Sequence, residues 1–261
     1  MTSSERQLPL GEEISDWENW SPSDYLKDYY SEVEPDEVET ISFLVASLGQ
    51  VGNVSRALVF GVGPTLHHVF PVVPHADQID LADYIQANLD EVRVWLDSRQ
   101  GRHSWAPFVK YTLECEGQEA DDAQILLRKL ETRKKLGKLL PGDAGLIDPL
   151  GKEARGAYPL VLSLYCADSA TGDSQVWERY MRNIATLVAP GGTFITAALR
   201  AASFYRVGSR FFPSANINES DLARVLAFDF DQESTNMEVR ELMEHRNQGY
   251  SGIILASAIK R

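Results

Sequence analysis

The sequence predicts an α/β fold in which a mostly parallel sheet carries helices on both faces. Short apolar segments alternate with amphipathic helical segments from position 56 onward, and the connections between them are short. The segment YPLVLSLY at 158–165 is apolar at almost every position, which is typical of a strand buried on both faces of a parallel sheet. Together these two observations favour the α/β class.

Two predicted helices precede the first strand. Ser21 can cap the first helix, and Pro22 suits its first turn because the proline ring fixes a helical φ where no N–H is needed. The second helix, over 36–48, carries apolar residues at helical spacing. Because both helices need a surface to pack on, we expect a helical cap at 1–50 over the strand ends, where open α/β sheets bind ligands.

The remaining elements follow in strand–helix order. RALVF at 56–60 ends in a Gly-Pro turn, and DQIDLA at 77–82 leads into a helix whose apolar residues recur at helical spacing. We then expect a charged helix at 119–140, strands at 143–147 and 158–165, a helix at 174–188, a strand at 193–198, a hairpin or loop insertion at 199–216, a helix at 219–228 and a last strand at 250–259. No repeat or linker interrupts this order, so we expect a single domain over 1–261 with its core at 51–261.

The acidic composition limits the class of partner. The chain has 25 Lys and Arg against 38 Asp and Glu, which gives a formal net charge of −13. A nucleic-acid or anionic membrane surface needs a basic face, and none stands out, so we expect a small-molecule substrate, no nucleic acid, no membrane, and a monomer or a protein partner. The first residues lack a signal-peptide pattern, which predicts a cytoplasmic protein, and the spacing of Cys115 and Cys166 predicts no metal site.

A glycine turn and an acidic residue are spaced as in nucleoside-binding sites. GVGPT at 61–65 directly follows a predicted strand, where glycines let the backbone approach a ligand, although alone it equally fits an ordinary Gly-Pro turn. Asp83 follows roughly 20 residues later, at the end of the next predicted strand, where an acid can bind a ribose diol. Tyr84 can lie against adenine, and Asn88 follows about one helical turn later. Together these residues favour a bound nucleoside.

Longer motifs extend this pattern across nearly the whole chain. They are DYLKDYY at 24–30, GVGPT at 61–65, DYIQANLDEVRVWL at 83–96, WAPFVKYTLECEG at 105–117, LSLYCADSA at 162–170 and PGG at 190–192. In this order and spacing, the sequence resembles the nicotinamide, phenylethanolamine and indolethylamine N-methyltransferases. The resemblance implies a Rossmann-like class I methyltransferase fold with a seven-stranded sheet, S-adenosylmethionine as cofactor, and methylation of a nitrogen, or of a sulfur, in a small molecule of secondary metabolism.

The resemblance also assigns cofactor contacts to individual positions. Tyr25 and Tyr30 match two tyrosines that close over the methionine part of the cofactor, and His67 stands where the family has a tyrosine. The full set of implied cofactor-binding residues is Tyr25, Tyr30, Gly61, Gly63, Thr65, His67, Asp83, Tyr84, Asn88, Asp143, Ala144 and Leu164. No catalytic side chain is implied, because an in-line displacement mainly needs aligned reactants in a dry pocket.

Two positions depart from the family pattern. Val59 stands where the family has an acid that braces the glycine turn, which predicts weaker cofactor binding or none. Ala198 stands where the relatives that bind nicotinamide or a catecholamine have a carboxylate, so we expect poor methylation of nicotinamide. The substrate-facing candidates are Ala198, Tyr205, Arg206, Arg210, Ser214 and Asn247. The two arginines would suit an acidic group on the substrate.

These departures leave two alternatives to a methyltransferase. The fold can serve a cofactor-independent reaction, such as an intramolecular displacement in natural-product biosynthesis, or it can form a non-catalytic subunit of a complex. Turnover without added cofactor would favour the first alternative. A large exposed apolar patch together with a filled cleft would favour the second.

Overall fold

The computed structural model describes residues 13–97, 103–242, 249–250 and 252–261. Its strands are β1 Val54–Phe60, β2 Ala76–Asp83, β3 Leu136–Pro141, β4 Tyr158–Leu164, β5 Val188–Leu199, β6 Phe204–Val207, β7 Arg210–Pro213, β8 Asn236–Glu241 and β9 Gly252–Ile259. Its α-helices are α1 Pro22–Tyr29, α2 Pro35–Leu48, α3 Gln86–Leu96, α4 Ala106–Cys115, α5 Asp122–Lys135, α6 Ser174–Ala185 and α7 Glu219–Asp229. Within the described ranges, none of these helices has the length and apolar character that crossing a membrane requires.

Seven of these strands form one sheet in the order β3-β2-β1-β4-β5-β9-β8. The pairs from β3 to β5 are parallel, whereas β9 is antiparallel to β5 and β8 is antiparallel to β9. Strand order therefore reverses between β1 and β4, and in open α/β sheets ligands bind outside the carboxyl ends of the strands at such a point. The predicted α/β fold with a mostly parallel, seven-stranded sheet is confirmed.

Hydrophobic side chains cover both faces of the sheet. On β1, Val59 belongs to one core and Leu58 to the other, because successive side chains of a strand point to opposite faces. The first core also contains residues of α2, α3 and α4, and the second contains residues of α6 and α7. The helices therefore lie on both faces, and the buried strands fix the positions of the loops at their carboxyl ends.

The two N-terminal helices bring side chains to this edge of the sheet. Ser21 accepts a hydrogen bond from the Asp24 backbone N–H (3.3 Å), and a proline occupies the first turn of α1, as predicted. Helix α1 packs against α3 and β6, whereas α2 packs against α4, β5 and β9. The Tyr29 hydroxyl donates to the Arg206 carbonyl (2.6 Å), so α1 is tied to the β6–β7 hairpin that forms within the predicted insertion at 199–216.

The helix predicted over 119–140 is too long. It ends at Lys135, and the residues that follow form β3. Leu136 and Leu139 pair with β2 in the sheet, where they pack against the first core. The gain from this burial outweighs the helical pattern of the preceding charged residues.

The strand predicted over 143–147 is wrong. These residues form a turn, in which the Asp143 carboxylate accepts a hydrogen bond from the Gly145 N–H (2.7 Å). An aspartate that binds the backbone two residues ahead stabilises a turn and competes with strand pairing. The edge strand of the sheet comes from the residues just before it, and Asp143 is left at the carboxyl end of β3.

Candidate active site

The turn after β1 requires glycine at two positions. Gly61 and Gly63 have φ values of 72° and 63°, in the left-handed region that favours glycine. A Cβ at Gly61 would overlap the Cys166 side chain, so no larger residue fits. The Gly61 and Val62 N–H groups both donate to the Ala82 carbonyl, at 2.8 and 3.1 Å. The turn is therefore fixed to the end of β2, with its backbone at the reversal point of the sheet.

Asp83, the last residue of β2, braces this turn. One carboxylate oxygen accepts the Gly63 N–H (2.7 Å), and the other accepts the Ile85 N–H (2.8 Å) and the Asn88 side-chain amide (2.9 Å). Burial raises the pKa of Asp83, while these three hydrogen bonds oppose the rise. In the family, an acid at the position of Val59 is expected to brace the glycine turn. In this chain, the Asp83 carboxylate of the neighbouring strand holds the turn instead.

Four aromatic side chains of the N-terminal segment lie over the glycine turn and are called the aromatic cap: Trp20, Tyr25, Tyr29 and Tyr30. The Tyr25 and Tyr30 rings meet edge to face at 5.3 Å, and their hydroxyl oxygens are 3.1 Å apart. The Trp20 indole N–H donates to the Asn88 side-chain oxygen (2.8 Å), which joins the cap to α3. Burial raises the pKa values of Tyr25 and Tyr30 well above the usual range, so both are neutral phenols.

A cavity of about 500 Å³ lies between the aromatic cap and the strand ends. Its volume is within the range of roughly 300–1,000 Å³ that is typical of small-molecule sites. Every residue that the sequence assigned to the cofactor lines it: Tyr25, Tyr30, Gly61, Gly63, Thr65, His67, Asp83, Tyr84, Asn88, Asp143, Ala144 and Leu164. Among the described residues, no lysine or arginine lines the cavity, whereas Asp36, Glu37 and Asp83 do.

A comparison with known protein families identifies one that matches almost the whole chain. Residues 11–261 match the NNMT/PNMT/TEMT family. The chain belongs to this family. It is therefore an enzyme, a methyltransferase that uses S-adenosylmethionine, and the resemblance seen in the sequence motifs is confirmed.

Curated relatives in the NNMT/PNMT/TEMT family match over most of their length. Indolethylamine N-methyltransferase of Oryctolagus cuniculus is 29% identical over 221 residues, which cover 81% of this chain and 83% of that relative. Nicotinamide N-methyltransferase of Homo sapiens is 27% identical over 203 residues, or 75% of this chain and 76% of that relative. A solved S-adenosylmethionine-dependent methyltransferase from Methanosarcina mazei matches with a TM-score of 0.54 at 11% identity, covering 82% of this chain and 96% of that one. The solved structure supports the class I fold.

The lining of the cavity in this family member suits S-adenosylmethionine in its exposed backbone, its aromatic rings and its charge. The glycine turn offers backbone without side chains, as close contact with a ligand requires. The sulfur of the cofactor is cationic, and the neutral rings of Tyr25 and Tyr30 can stabilise a cation through their faces. Since the described lining residues include carboxylates and no lysine or arginine, nothing in that part of the cavity repels a positive charge.

Of the three substrate candidates on the β6–β7 hairpin, one lines the cavity. Tyr205 lines the cavity, but its neighbour Arg206 is exposed, because alternate residues of β6 point to opposite sides. Arg210 is also exposed and donates to the Asn19 carbonyl at the surface. Neither arginine lines the cavity, so the prediction that they contact an acidic substrate group is wrong.

Two further predicted substrate positions, Ala198 and Ser214, lie outside the cavity lining. Ala198 packs against Ile254 in the second core, and the next residue, Leu199, lines the cavity instead. The predicted position is thus one residue away from the one that lines the cavity. A shift of one residue along a strand moves the side chain to the opposite face. Ser214 is buried outside the cavity lining, and Asn247 lies outside the described residues.

Beyond the glycine turn, the cavity has a second part, whose lining residues named here were not predicted from the sequence. We call it the substrate end, and it is lined by Asp36, Glu37, His68, Tyr165, Leu199 and Tyr250. The Tyr250 hydroxyl donates to Asp36 (2.8 Å), and His68 Nε2 lies 2.9 Å from a Glu37 carboxylate oxygen. Two signals were present in the sequence: acidic residues at the start of α2, which also suit a helix N-terminus, and two adjacent histidines in an apolar segment.

Two titratable side chains at the cavity are uncharged near neutral pH. Burial raises the pKa of the Cys166 thiol to about 12, so this cysteine is not a thiolate nucleophile. Burial also lowers the pKa of His67 to about 4, against the opposing attraction of Glu37, so its imidazole is neutral. The chemistry available in the cavity is therefore positioning and desolvation of a bound substrate rather than covalent catalysis.

Proposed function

We propose that this enzyme methylates a nitrogen of a small aromatic or hydrophobic amine held at the substrate end of the cavity. The observation that carries the proposal is the continuity of the cavity, which runs under the aromatic cap from the glycine turn to Asp36 and Tyr250. A donor at the first end and an acceptor at the second therefore share one cavity. Tyrosine rings line both ends, and flat apolar molecules pack well against such rings.

S-adenosylmethionine, when bound, supplies a methyl group on a cationic sulfur. The aromatic cap covers part of the space in front of the glycine turn, and partial shielding from water strengthens the polar contacts inside. At the far end, the Asp36 carboxylate is held by the Tyr250 hydroxyl (2.8 Å) and by the Glu37 backbone N–H (3.0 Å). It can accept a hydrogen bond from a substrate amine and so orient the nitrogen lone pair toward the donor. Alignment of this kind provides most of the rate of an in-line displacement.

The relatives support the nitrogen acceptor. By their names, the indolethylamine and phenylethanolamine N-methyltransferases act on amines that carry an aromatic group. The end of β5 presents the apolar Leu199 to the cavity, which supports the expectation that nicotinamide is methylated poorly. This expectation stays a prediction. The cytoplasmic location and the role in secondary metabolism also stay predictions. Family membership gives no support to a cofactor-independent reaction or to a non-catalytic subunit.

The proposal is tested by transfer of an isotope-labelled methyl group to a panel containing an indolethylamine, a phenylethanolamine and nicotinamide. We expect labelling of an aromatic amine and little labelling of nicotinamide. Leu199→Ala should raise KM for the amine several-fold and leave the affinity for S-adenosylhomocysteine unchanged, because Leu199 lines the substrate end. Ser214→Ala is the matched control outside the lining. Equal effects of the two substitutions, or no labelled amine at all, would contradict the proposal.

A further inference from the structure

Three potential metal ligands converge on one side of the cavity. His67 Nε2 lies 3.2 Å from one carboxylate oxygen of Glu37, and His68 Nε2 lies 2.9 Å from the other. One ligand atom from each residue lies within 4.8 Å of the other two. The exposed fractions of Glu37, His67 and His68 are only 3%, 1% and 7%, yet all three line the cavity. The cluster is therefore shielded by protein and still reachable from the cavity.

The hydrogen bonding of this cluster is incomplete. His67 Nδ1 has no hydrogen-bond partner within the described ranges, and His67 Nε2 has only its approach to Glu37 at 3.2 Å. Leaving such a buried polar group unsatisfied is unfavourable, because it has lost its hydrogen bonds to water. Buried polar atoms in native proteins are normally satisfied, and an exception points to a ligand, water or ion that takes the free position. An ion between the three side chains would satisfy His67.

We propose that Glu37, His67 and His68 bind a divalent first-row transition-metal ion at the edge of the cavity. Two imidazoles and one carboxylate suit Zn²⁺, Co²⁺ or Fe²⁺, whereas Mg²⁺ and Ca²⁺ prefer oxygen ligands. Ligand atoms at about 2.0–2.2 Å from a tetrahedral zinc ion are roughly 3.3 Å from one another. The separations of 2.9 and 3.2 Å between carboxylate oxygens and imidazole nitrogens are close to that spacing. Small side-chain rotations complete the geometry.

The surrounding residues hold the three ligands in place. Glu37 lies in the first turn of α2, and the two histidines follow the glycine turn after β1. The His67 ring packs against Tyr30, with centroids 4.4 Å apart, and stacks on Trp105 at 5.7 Å and an interplanar angle of 17°. Ligands fixed by packing in this way lose little freedom when an ion binds.

Three protein ligands leave the ion with an open position, as in catalytic zinc sites. Since all three side chains line the cavity, that position faces a bound small molecule. An oxygen or nitrogen donor of that molecule would complete the coordination, and the ion would offset the acidic lining. The open position implies that the substrate carries a metal-coordinating group beside its acceptor nitrogen. This part of the inference rests on the proposed function. Binding of the ion itself does not depend on methyl transfer.

The test measures metal binding directly on the full chain. The protein is purified without a histidine tag, stripped with a chelator and titrated with Zn²⁺ in a calorimeter, and Co²⁺ is followed by its visible absorption. We expect one ion per chain, a Kd at or below the micromolar range, and a cobalt spectrum with the intensity of a four- or five-coordinate site. Failure of the wild-type protein to bind either ion would overturn the proposal.

Three substitutions locate the site. Glu37→Gln, His67→Gln and His68→Gln should each weaken Zn²⁺ binding at least tenfold, whereas His75→Gln, outside the cluster, should leave it unchanged. Circular dichroism shows whether each variant is folded, and if a variant is unfolded, the wild-type titration and cobalt spectrum still decide. Wild-type affinity in folded Glu37→Gln and His68→Gln proteins would overturn the assignment.

Two more measurements separate this site from the proposed function. Azide added to the cobalt-loaded protein should shift its spectrum, because azide can take an open coordination position; an unchanged spectrum would overturn the open position. S-adenosylhomocysteine binding is measured independently by calorimetry. A protein that methylates an amine but binds no metal contradicts the metal site alone. One that binds metal but labels no amine contradicts the proposed function alone.

Discussion

The two ends of the cavity are built from different kinds of contact. At the glycine end, backbone N–H groups hold the turn, and the bond from Gly63 to Asp83 joins residues 20 positions apart. At the substrate end, side chains contact one another across the fold, and the bond from Tyr250 to Asp36 joins residues 214 positions apart. Backbone contacts leave little room for variation, whereas side-chain contacts change with a single substitution. We therefore expect the glycine end to tolerate mutation poorly and the substrate end to determine specificity.

Among substitutions that test this difference between the two ends, we expect the largest effect at Gly61. Gly61→Ala places a Cβ against Cys166 and forces a non-glycine residue to a φ of 72°, so we expect a loss of about 3 kcal/mol in the free energy of unfolding. Gly52→Ala is the control, because open space surrounds Gly52. Thermal and urea denaturation measure both. Equal stability of the two variants would show that the glycine turn is not fixed as described.

Asp83→Asn tests the brace of the same turn. The carboxylate accepts hydrogen bonds on both oxygens, but an amide has one acceptor oxygen, so its NH₂ group must face a backbone N–H. We expect the affinity for S-adenosylhomocysteine to fall about 10–100-fold, as loss of a buried charged hydrogen bond implies. Calorimetry measures this, with the exposed Asp77→Asn on the same strand as control. Unchanged affinity would remove Asp83 from the cofactor end.

Asp168 gives a pH-dependent test beside the substrate end, where its carboxylate accepts the Leu199 backbone N–H (2.9 Å). Burial raises its pKa from 3.8 to about 7, so the folded protein binds more protons than the unfolded chain between those values. The contribution of Asp168 to stability therefore falls as pH rises through this window and is constant above it. Asp168→Asn should gain about 1–3 kcal/mol relative to wild type at pH 8 and little at pH 4. Denaturation at both pH values measures it, and a gain independent of pH would refute the shift.

The smallest expected effect concerns the aromatic cap. Tyr25→Phe and Tyr30→Phe each remove one partner of the hydroxyl contact of 3.1 Å but keep the rings. Each should weaken cofactor binding about threefold to tenfold, and the double variant should lose less than the product of the two, because both act on one contact. Calorimetry on the four proteins gives the coupling energy. A strictly multiplicative loss would mean that the two hydroxyls act independently.

Sequence reasoning succeeded where spacing along the chain reports position in space. Parallel neighbouring strands bring their carboxyl ends together, so a glycine turn after β1 and Asp83 after β2 had to meet. The paired tyrosines Tyr25 and Tyr30 were identified through family motifs, and both line the cavity. The α/β class followed from the alternation of elements, whereas the number of seven strands was implied by the family resemblance.

The failures came from information that a single sequence lacks. Including Arg206 beside Tyr205, and naming Ala198 instead of Leu199, are errors of one residue in deciding which strand face meets the cavity. Alternation fixes the period of a strand but not its phase when both faces are apolar. Glu37 reaches the histidines only after α2 packs beside the first turn, and no local pattern encodes that packing.

The bond between Asp36 and Tyr250 has a consequence for how the enzyme becomes competent. Asp36 leaves the ribosome early, and its partner emerges close to the last strand of the sheet. A nascent chain or an amino-terminal fragment therefore contains the glycine turn but lacks the complete substrate end of the cavity. Assembly of the substrate end therefore depends on the packing of Tyr250 against α2, long after the glycine turn has been synthesised.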